Sequence, residues 1–218
     1  MKEVVLDTET TGISVKDGHR LVEIGCIELE NLVPTKNKFH CYLNPERKVS
    51  EKALEVHGYT DDFLASQKKF RDVGEEFLNF IKDKRLIIHN AEFDLGHLNN
   101  ELSLFGKKKI DNEIVDTLIL ARDKFPGSPV SLDALCKRYR VDNSSRIQHT
   151  ALIDCNLLAK VARSFCVNIV FTLLYLFRFC CRFFVGNIYF ALMIDYFSIE
   201  SNRNLIINLW SLRVEEQC

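Results

Sequence analysis

The apolar run Val4-Val5-Leu6 leads without a break into Asp7-Thr8-Glu9, and this junction constrains the fold more than any other feature. A short aliphatic run bounded by polar residues reads as a buried strand. Side chains alternate along a strand, so Asp7 and Glu9 share one face. Two neighbouring carboxylates repel unless something positive sits between them. A hard divalent cation, Mg2+ or Mn2+, suits that place because both favour oxygen ligands. The bland alternative is a pair of surface acids on an edge strand, and the apolar run before them argues against exposure.

Two later segments carry further chemically capable residues, and in the first of them an apolar run again leads straight in. Leu86-Ile87-Ile88 runs into His89-Asn90-Ala91-Glu92-Phe93-Asp94. A strand that ends in polar residues and opens a helix puts them at the carboxyl edge of a sheet, where α/β sites gather. Asp94 taken alone reads as an acid favoured by a helix dipole, and His89 as a satisfied core histidine. The third segment is His149-Thr150-Ala151-Leu152-Ile153-Asp154. Five helical residues turn through about 140°, so His149 and Asp154 cannot share a face of one regular helix. If both serve one site, Asp154 sits on the helix and His149 in the loop before it. A loop histidine suits a general base, since its ordinary pKa lies near neutrality.

Between these segments the spacing predicts strands over 21–29 and 39–43, with Asn31–Lys38 as a polar turn, so that the first strands form an antiparallel meander. Phe70, Val73, Phe77, Phe80 and Ile81 recur at helical spacing. Arg85–His89 reads as a strand, the face Leu95, Leu98, Leu102, Phe105 as a helix ended by Gly106, and Ile114–Asp116 as a short strand. Ser131 is a candidate N-cap for a helix carrying Leu132, Leu135, Cys136 and Tyr139, and Ala151–Arg163 is the last helix. This order predicts an α/β fold with a mixed sheet flanked by helices.

Composition enters in two places. The formal net charge is −1 over 218 residues, so no basic surface argues for nucleic acid and any such reading must rest on a site. Eight cysteines show no CxxC pair or zinc spacing, which fits a reduced, cytoplasmic protein. Acids at Glu3, Asp7 and Glu9 exclude a secretory signal at the start. The character changes near Phe165: residues 1–164 read as one domain, and 165–218 as an atypical apolar, aromatic-rich tail. The tail admits three readings: a membrane segment, a partner-docking segment, or a stretch translated out of frame. Arg178 and Arg182 interrupt its apolar runs, at about 2.5–3.5 kcal/mol each at a helix centre, so a membrane span is disfavoured and the out-of-frame reading is preferred.

The segments VVLDTETTG, HNAEFDLGHL, SLDALCKRY and HTALIDCNLLAKV resemble, in order and spacing, the successive motifs of the DEDDh family of 3′→5′ exonucleases. KFHCYLNP, EVHGYTDDFL and PGSPVSLDALCKRYRVDNSSR are similar to stretches of its proofreading members. The likeness covers about residues 3–163 and implies an RNase H-like fold, a mixed five-stranded sheet flanked by helices. It implies two divalent ions, Mg2+ or Mn2+, held by Asp7, Glu9, Asp94 and Asp154, with His149 taking a proton from the attacking water. Thr8 and Thr10 would offer backbone amides to the terminal nucleotide, His57 would lie near the substrate, and Phe93 would stack on or wedge bases. The implied substrate is a single-stranded or frayed DNA 3′ end, and the implied partners are a replicative polymerase's catalytic subunit and an accessory core subunit. Two rivals remain: an RNA 3′-end-trimming exonuclease of the same superfamily, and a non-catalytic binding module that keeps the fold.

Overall fold

In the computed structural model, which describes residues 2–165, the apolar run at the start of the chain lies in the middle of a five-stranded sheet. The strands are β1 (Lys2–Thr10), β2 (Leu21–Glu30), β3 (Val33–Tyr42), β4 (Arg85–Ile88) and β5 (Ile114–Asp116). Their order is β3-β2-β1-β4-β5. β1 pairs antiparallel with β2, and β2 with β3, while β1–β4 and β4–β5 are parallel. The meander and the mixed sheet expected from the sequence are both present. Val4, Val5 and Leu6 are fully buried because a central strand is covered on both faces.

Strand alternation sends successive β1 residues to different layers. Val4 and Leu6 join a core with Phe39 of β3, Phe70, Val73, Phe77 and Ile81 of α3 (Phe70–Ile81), and Leu98 and Leu102 of α4 (Ala91–Leu104). The opposite face receives a helix over 151–165, here α7 following α5 and α6 below. Its approach is close at one point. A Cβ added to Gly25, which pairs with Asp7 across β1 and β2, would lie 2.7 Å from the backbone carbon of Ala151. Only a residue without a side chain lets helix backbone rest on strand backbone there. Cys155, one turn on, completes the contact by donating to the Gly25 carbonyl at 3.2 Å.

The remaining helices are α1 (Glu51–His57), α2 (Asp61–Ala65), α5 (Thr117–Lys124) and α6 (Leu132–Tyr139). Ser131 caps α6 as expected, accepting from the Ala134 amide at 3.2 Å. Three differences from the sequence reading have physical causes. The turn expected over Asn31–Lys38 is only Asn31-Leu32, both at positive φ (57° and 61°); the polar residues beyond it extend β3. β3 is an edge strand, and edge strands carry charges such as Lys36 and Lys38 that discourage further pairing. α4 begins at Ala91 rather than at the first apolar residue of its stripe, because its opening turn carries site residues. α1 and α2 are too short to show a period, and α5 buries only Thr117 and Ala121, so it carries no apolar stripe.

Among the described residues no helix is long and apolar enough to cross a membrane. The expected boundary at Phe165 and the three readings of 165–218 fall, beyond Phe165 itself, outside the described residues. The described cysteines, Cys26, Cys41, Cys136 and Cys155, are free thiols.

Candidate active site

Three chain segments bring the acids to one edge of the sheet. β1 delivers Asp7 and Glu9 on the face that α7 covers, and Thr8 on the other. The β4–α4 junction delivers Asp94. It is a tight turn: Asn90 sits in the left-handed region (φ 73°, ψ 56°), a conformation asparagine tolerates better than most residues. Asp116, at the end of β5, pins this turn by accepting from the Ala91 amide at 2.9 Å and the Asn90 amide at 3.2 Å. The same carboxylate caps α5 through the Leu118 amide at 2.8 Å. Asp94 then lies one turn into α4, 3 % exposed, and accepts from the Thr8 hydroxyl at 2.6 Å. The Thr8 side chain thus locks the second acid segment onto the first.

The third segment is the entry to α7. His149 lies in the loop and Asp154 on the helix, the division that helical geometry required. Glu23 of β2 sets this entry. Its fully buried carboxylate accepts from the Ala151 amide at 2.9 Å, the Tyr59 hydroxyl at 2.8 Å and His40 Nε2 at 2.7 Å. The His149 amide in turn donates to the Val56 carbonyl at 3.1 Å. One ligand atom each from Glu9, His149 and Asp154 lies within 4.8 Å of the others.

The electrostatics divide the acids. Burial, then repulsion from Asp94, Glu9 and Asp154, holds the Asp7 carboxyl well above the ordinary carboxylate range. Burial, with Glu23 and Asp154 nearby, pushes Glu9 up to about 8. Burial pushes Asp94 up to about 7, against the opposing pull of its bond from Thr8. Asp154 is different: Arg146 donates to both its oxygens at 2.6 Å. Arg146 also donates to Asp133 at 2.6 Å and to His149 Nδ1 at 2.9 Å. Burial works against the Arg146 charge, but Asp154 and Asp133 hold it more firmly protonated than usual.

This donor set fits a hard divalent cation. It consists of carboxylate oxygens crowded enough to resist ionisation together, and a dication would relieve that repulsion.

The other expected contacts divide. Phe93 packs against His97 with ring centroids 4.9 Å apart and, with Ile13, Val15, Asn90, Glu92, Gly96 and His97, lines a cavity of about 280 Å³. Thr10 turns its hydroxyl onto the Gly12 carbonyl at 2.7 Å. His57 presents no open edge: it is 1 % exposed, its Nδ1 accepts from the Tyr59 amide at 3.0 Å, and its Nε2 meets the Thr10 carbonyl at 3.3 Å. With the proton thereby on Nε2, both nitrogens are engaged within the protein, and burial keeps the ring neutral. His57 braces the backbone at Thr10. Glu23, Asp116 and Arg146 were not singled out from the sequence. A signal existed for Glu23, a charged residue inside the otherwise apolar strand LVEIGCI. Asp116-Thr117 carried an N-cap signal, and Arg146 in a polar loop carried none.

A mixed sheet with crowded carboxylates at its edge and a histidine across from them defines a metal-dependent nuclease of the exonuclease class, and the chain belongs to the exonuclease family, whose model matches residues 4–162. Members of that family depend on divalent metal. Among its relatives, DNA polymerase III subunit epsilon of Rickettsia typhi is 50% identical over 165 residues, 74% of this chain and 72% of that protein. The subunit of the same name from Salmonella typhimurium is 46% identical over 169 residues, 73% and 69% of the two chains. In structure the chain is similar to exonuclease X in complex with 5′-overhanging duplex DNA (TM-score 0.57, 24% identity, 73% and 87% covered). It is also similar to the nuclease domain of 3′hExo, a DEDDh family member, bound to rAMP (TM-score 0.62, 19% identity, 74% and 89% covered). These structural likenesses show the fold.

Proposed function

We propose that the chain is a 3′→5′ exonuclease that removes mismatched 3′-terminal nucleotides from DNA during replication, as an epsilon-like proofreading subunit. What carries the reading is the meeting of Asp7, Glu9, Asp94 and Asp154 at one sheet edge, in a stretch of 165 residues that is 50% identical to an epsilon subunit. We assign these four carboxylates to two divalent ions, Mg2+ or Mn2+. Such ions supply stabilisation of the charge that develops on the attacking and leaving oxygens. His149, which is 45% exposed in its side chain, takes the proton from the attacking water once one ring nitrogen is bare. The product is a nucleoside 5′-monophosphate.

The substrate side follows the same reading. The backbone amides of Thr8 and Thr10 meet the terminal nucleotide, and Phe93, which lines the same cavity as Ile13, stacks on or wedges its base. A near-zero net charge suits a subunit that a polymerase delivers to DNA, because the partner then provides the phosphate contacts. Frayed, mismatched ends reach the site more readily because unpairing costs them less. We place the chain in the cytoplasm, with the replicative polymerase's catalytic subunit and an accessory core subunit as partners. The RNA-trimming alternative differs in how a 2′-hydroxyl is accommodated, and the identity to epsilon subunits favours DNA.

The test is digestion of a 5′-labelled single-stranded DNA oligonucleotide with Mg2+ or Mn2+, beside a matched RNA, an EDTA control and Asp7→Ala. A ladder of 3′-shortened DNA that vanishes with EDTA and in the variant is the expected result. RNA trimmed with DNA spared would move the assignment to RNA processing. Folded protein that digests neither would reject the enzyme reading.

A further inference from the structure

One side chain contacts both groups at the α7 entry that the proposed chemistry uses. The Arg146 guanidinium engages both oxygens of Asp154 at 2.6 Å and His149 Nδ1 at 2.9 Å. Its third contact, to Asp133 of α6 at 2.6 Å, faces outward: the side chain of Asp133 is 53% exposed, against 7% for Arg146 and 6% for Asp154. Asn143 ties the same loop to Asp133 at 2.8 Å.

Each contact has a chemical consequence. A guanidinium has only donors, so His149 Nδ1 must be the acceptor, and a neutral ring then carries its proton on Nε2. The single lone pair of that ring is spent on Arg146, leaving none for a water. Asp154 is engaged in another way: the fork-on-fork pair puts an N–H on each carboxylate oxygen, and the guanidinium charge beside it repels a divalent ion from the same carboxylate. The arrangement in which Arg146 makes all its contacts is therefore one in which His149 Nδ1 is occupied and Asp154 already carries a cation.

We propose that Arg146 is a latch: a resident cation that holds Asp154 and idles His149 in the metal-free protein, and that must yield both for the site to load. The inference rests on the assignment of Asp154 as a metal ligand. Asp133 gives the released guanidinium a place to stay, so Arg146 pivots at the rim rather than losing every partner. The latch makes loading and activation one event. Asp154 is freed for a divalent ion by the same movement that bares His149 Nδ1. It also spares the metal-free protein a fourth unpaired carboxylate beside Asp7, Glu9 and Asp94.

The test measures Mn2+ binding to the full chain, by calorimetry or by the electron paramagnetic resonance of free Mn2+, with no substrate present. It compares the wild type with Arg146→Ala, Arg146→Lys and Asp7→Ala. Removing a bidentate competitor should tighten binding roughly tenfold in Arg146→Ala, with Arg146→Lys between that and the wild type. Thermal unfolding gives a second readout. Arg146→Ala should melt lower than the wild type in EDTA, and the gap should narrow in saturating Mn2+. A purely structural arginine would weaken metal binding and lower both melting points. Wild-type binding lost in Asp7→Ala, with Arg146→Ala no tighter than wild type, would reject the latch and leave the metal site standing. Mn2+ binding absent from the folded wild type would reject the metal assignment, and the latch with it.

Discussion

The sheet side of the site and the helix side solve the same electrostatic problem in opposite ways. On the sheet side, burial and mutual repulsion hold the carboxyls of Asp7, Glu9 and Asp94 above the ordinary range, and the Arg146 charge opposes this only weakly, at Glu9. On the helix side, Asp154 is buried as well but paired with Arg146 at 2.6 Å on both oxygens. The sheet-side acids are placed by strand alternation and a turn locked by Asp116, so they cannot move apart to relieve the strain. The helix-side acid faces a loop that can carry its own counter-ion. The strand scaffold thus holds a repulsion that a divalent ion would relieve, while the loop before α7 brings an arginine to the acid on its own side.

Comparing Asp7→Asn with Asp154→Asn would break this contrast most sharply. Both should lower exonuclease activity by about a thousandfold or more, since each removes a ligand whose ion contributes several kcal/mol to the transition state. Their effects on the metal-free protein should have opposite signs. Asp7→Asn removes a repelling acid and should raise the melting point in EDTA. Asp154→Asn strands a buried arginine, a class of change that costs roughly 3–5 kcal/mol, tempered here by the remaining bond to Asp133. Equal shifts in the same direction would show that the two sides are not electrostatically distinct.

His149→Gln probes the helix side without touching an acid. It should cost about a hundredfold or more in turnover, the usual contribution of a positioned general base, and leave Mn2+ affinity within a few-fold of the wild type. A matching loss of metal affinity would make the histidine a ligand rather than a base. Gly25→Ala acts on the placement of the helix side as a whole. The added methyl meets α7 backbone at 2.7 Å, so the helix must shift, at about 1–3 kcal/mol for overpacking. Activity should fall with stability, while Asp7, Glu9 and Asp94 keep their mutual arrangement.

The same contrast explains what the sequence could reveal. Asp7, Glu9 and Asp94 were legible because each follows an apolar strand whose period is short and regular, and the position of a residue at a strand's end is itself the signal. The separation of His149 from Asp154 followed from helix geometry alone. The supports were harder to read. Asp116 acts on a turn 26 residues away in sequence, and Glu23 on a helix 128 residues away; neither distance leaves a local pattern. Arg146 matters through three partners drawn from a loop and two helices, which only the folded chain assembles. His57 lay in a motif that implied substrate contact, yet packing against Tyr59 and Thr10 turned both its nitrogens inward.

The smallest expected effect is on the pH dependence of the metal-free protein, and it belongs to the sheet side. Glu9 has an ordinary value of 4.5 and is pushed to about 8 in the fold; Asp94 goes from 3.8 to about 7. A raised carboxyl value means that the folded state binds more protons than the unfolded state between the two values. Stability therefore falls as pH rises through that window. In EDTA the melting point should decline from about pH 5 to about pH 8, a window set by those shifts. Glu9→Gln should flatten the decline and stabilise the metal-free protein near pH 8 by on the order of 1 kcal/mol. Saturating Mg2+ should flatten it in the wild type as well, because a dication does for Glu9 and Asp94 what protons do at lower pH. A metal-free protein whose stability rises between pH 5 and 8 would mean that the three sheet-side acids are not held above their ordinary range.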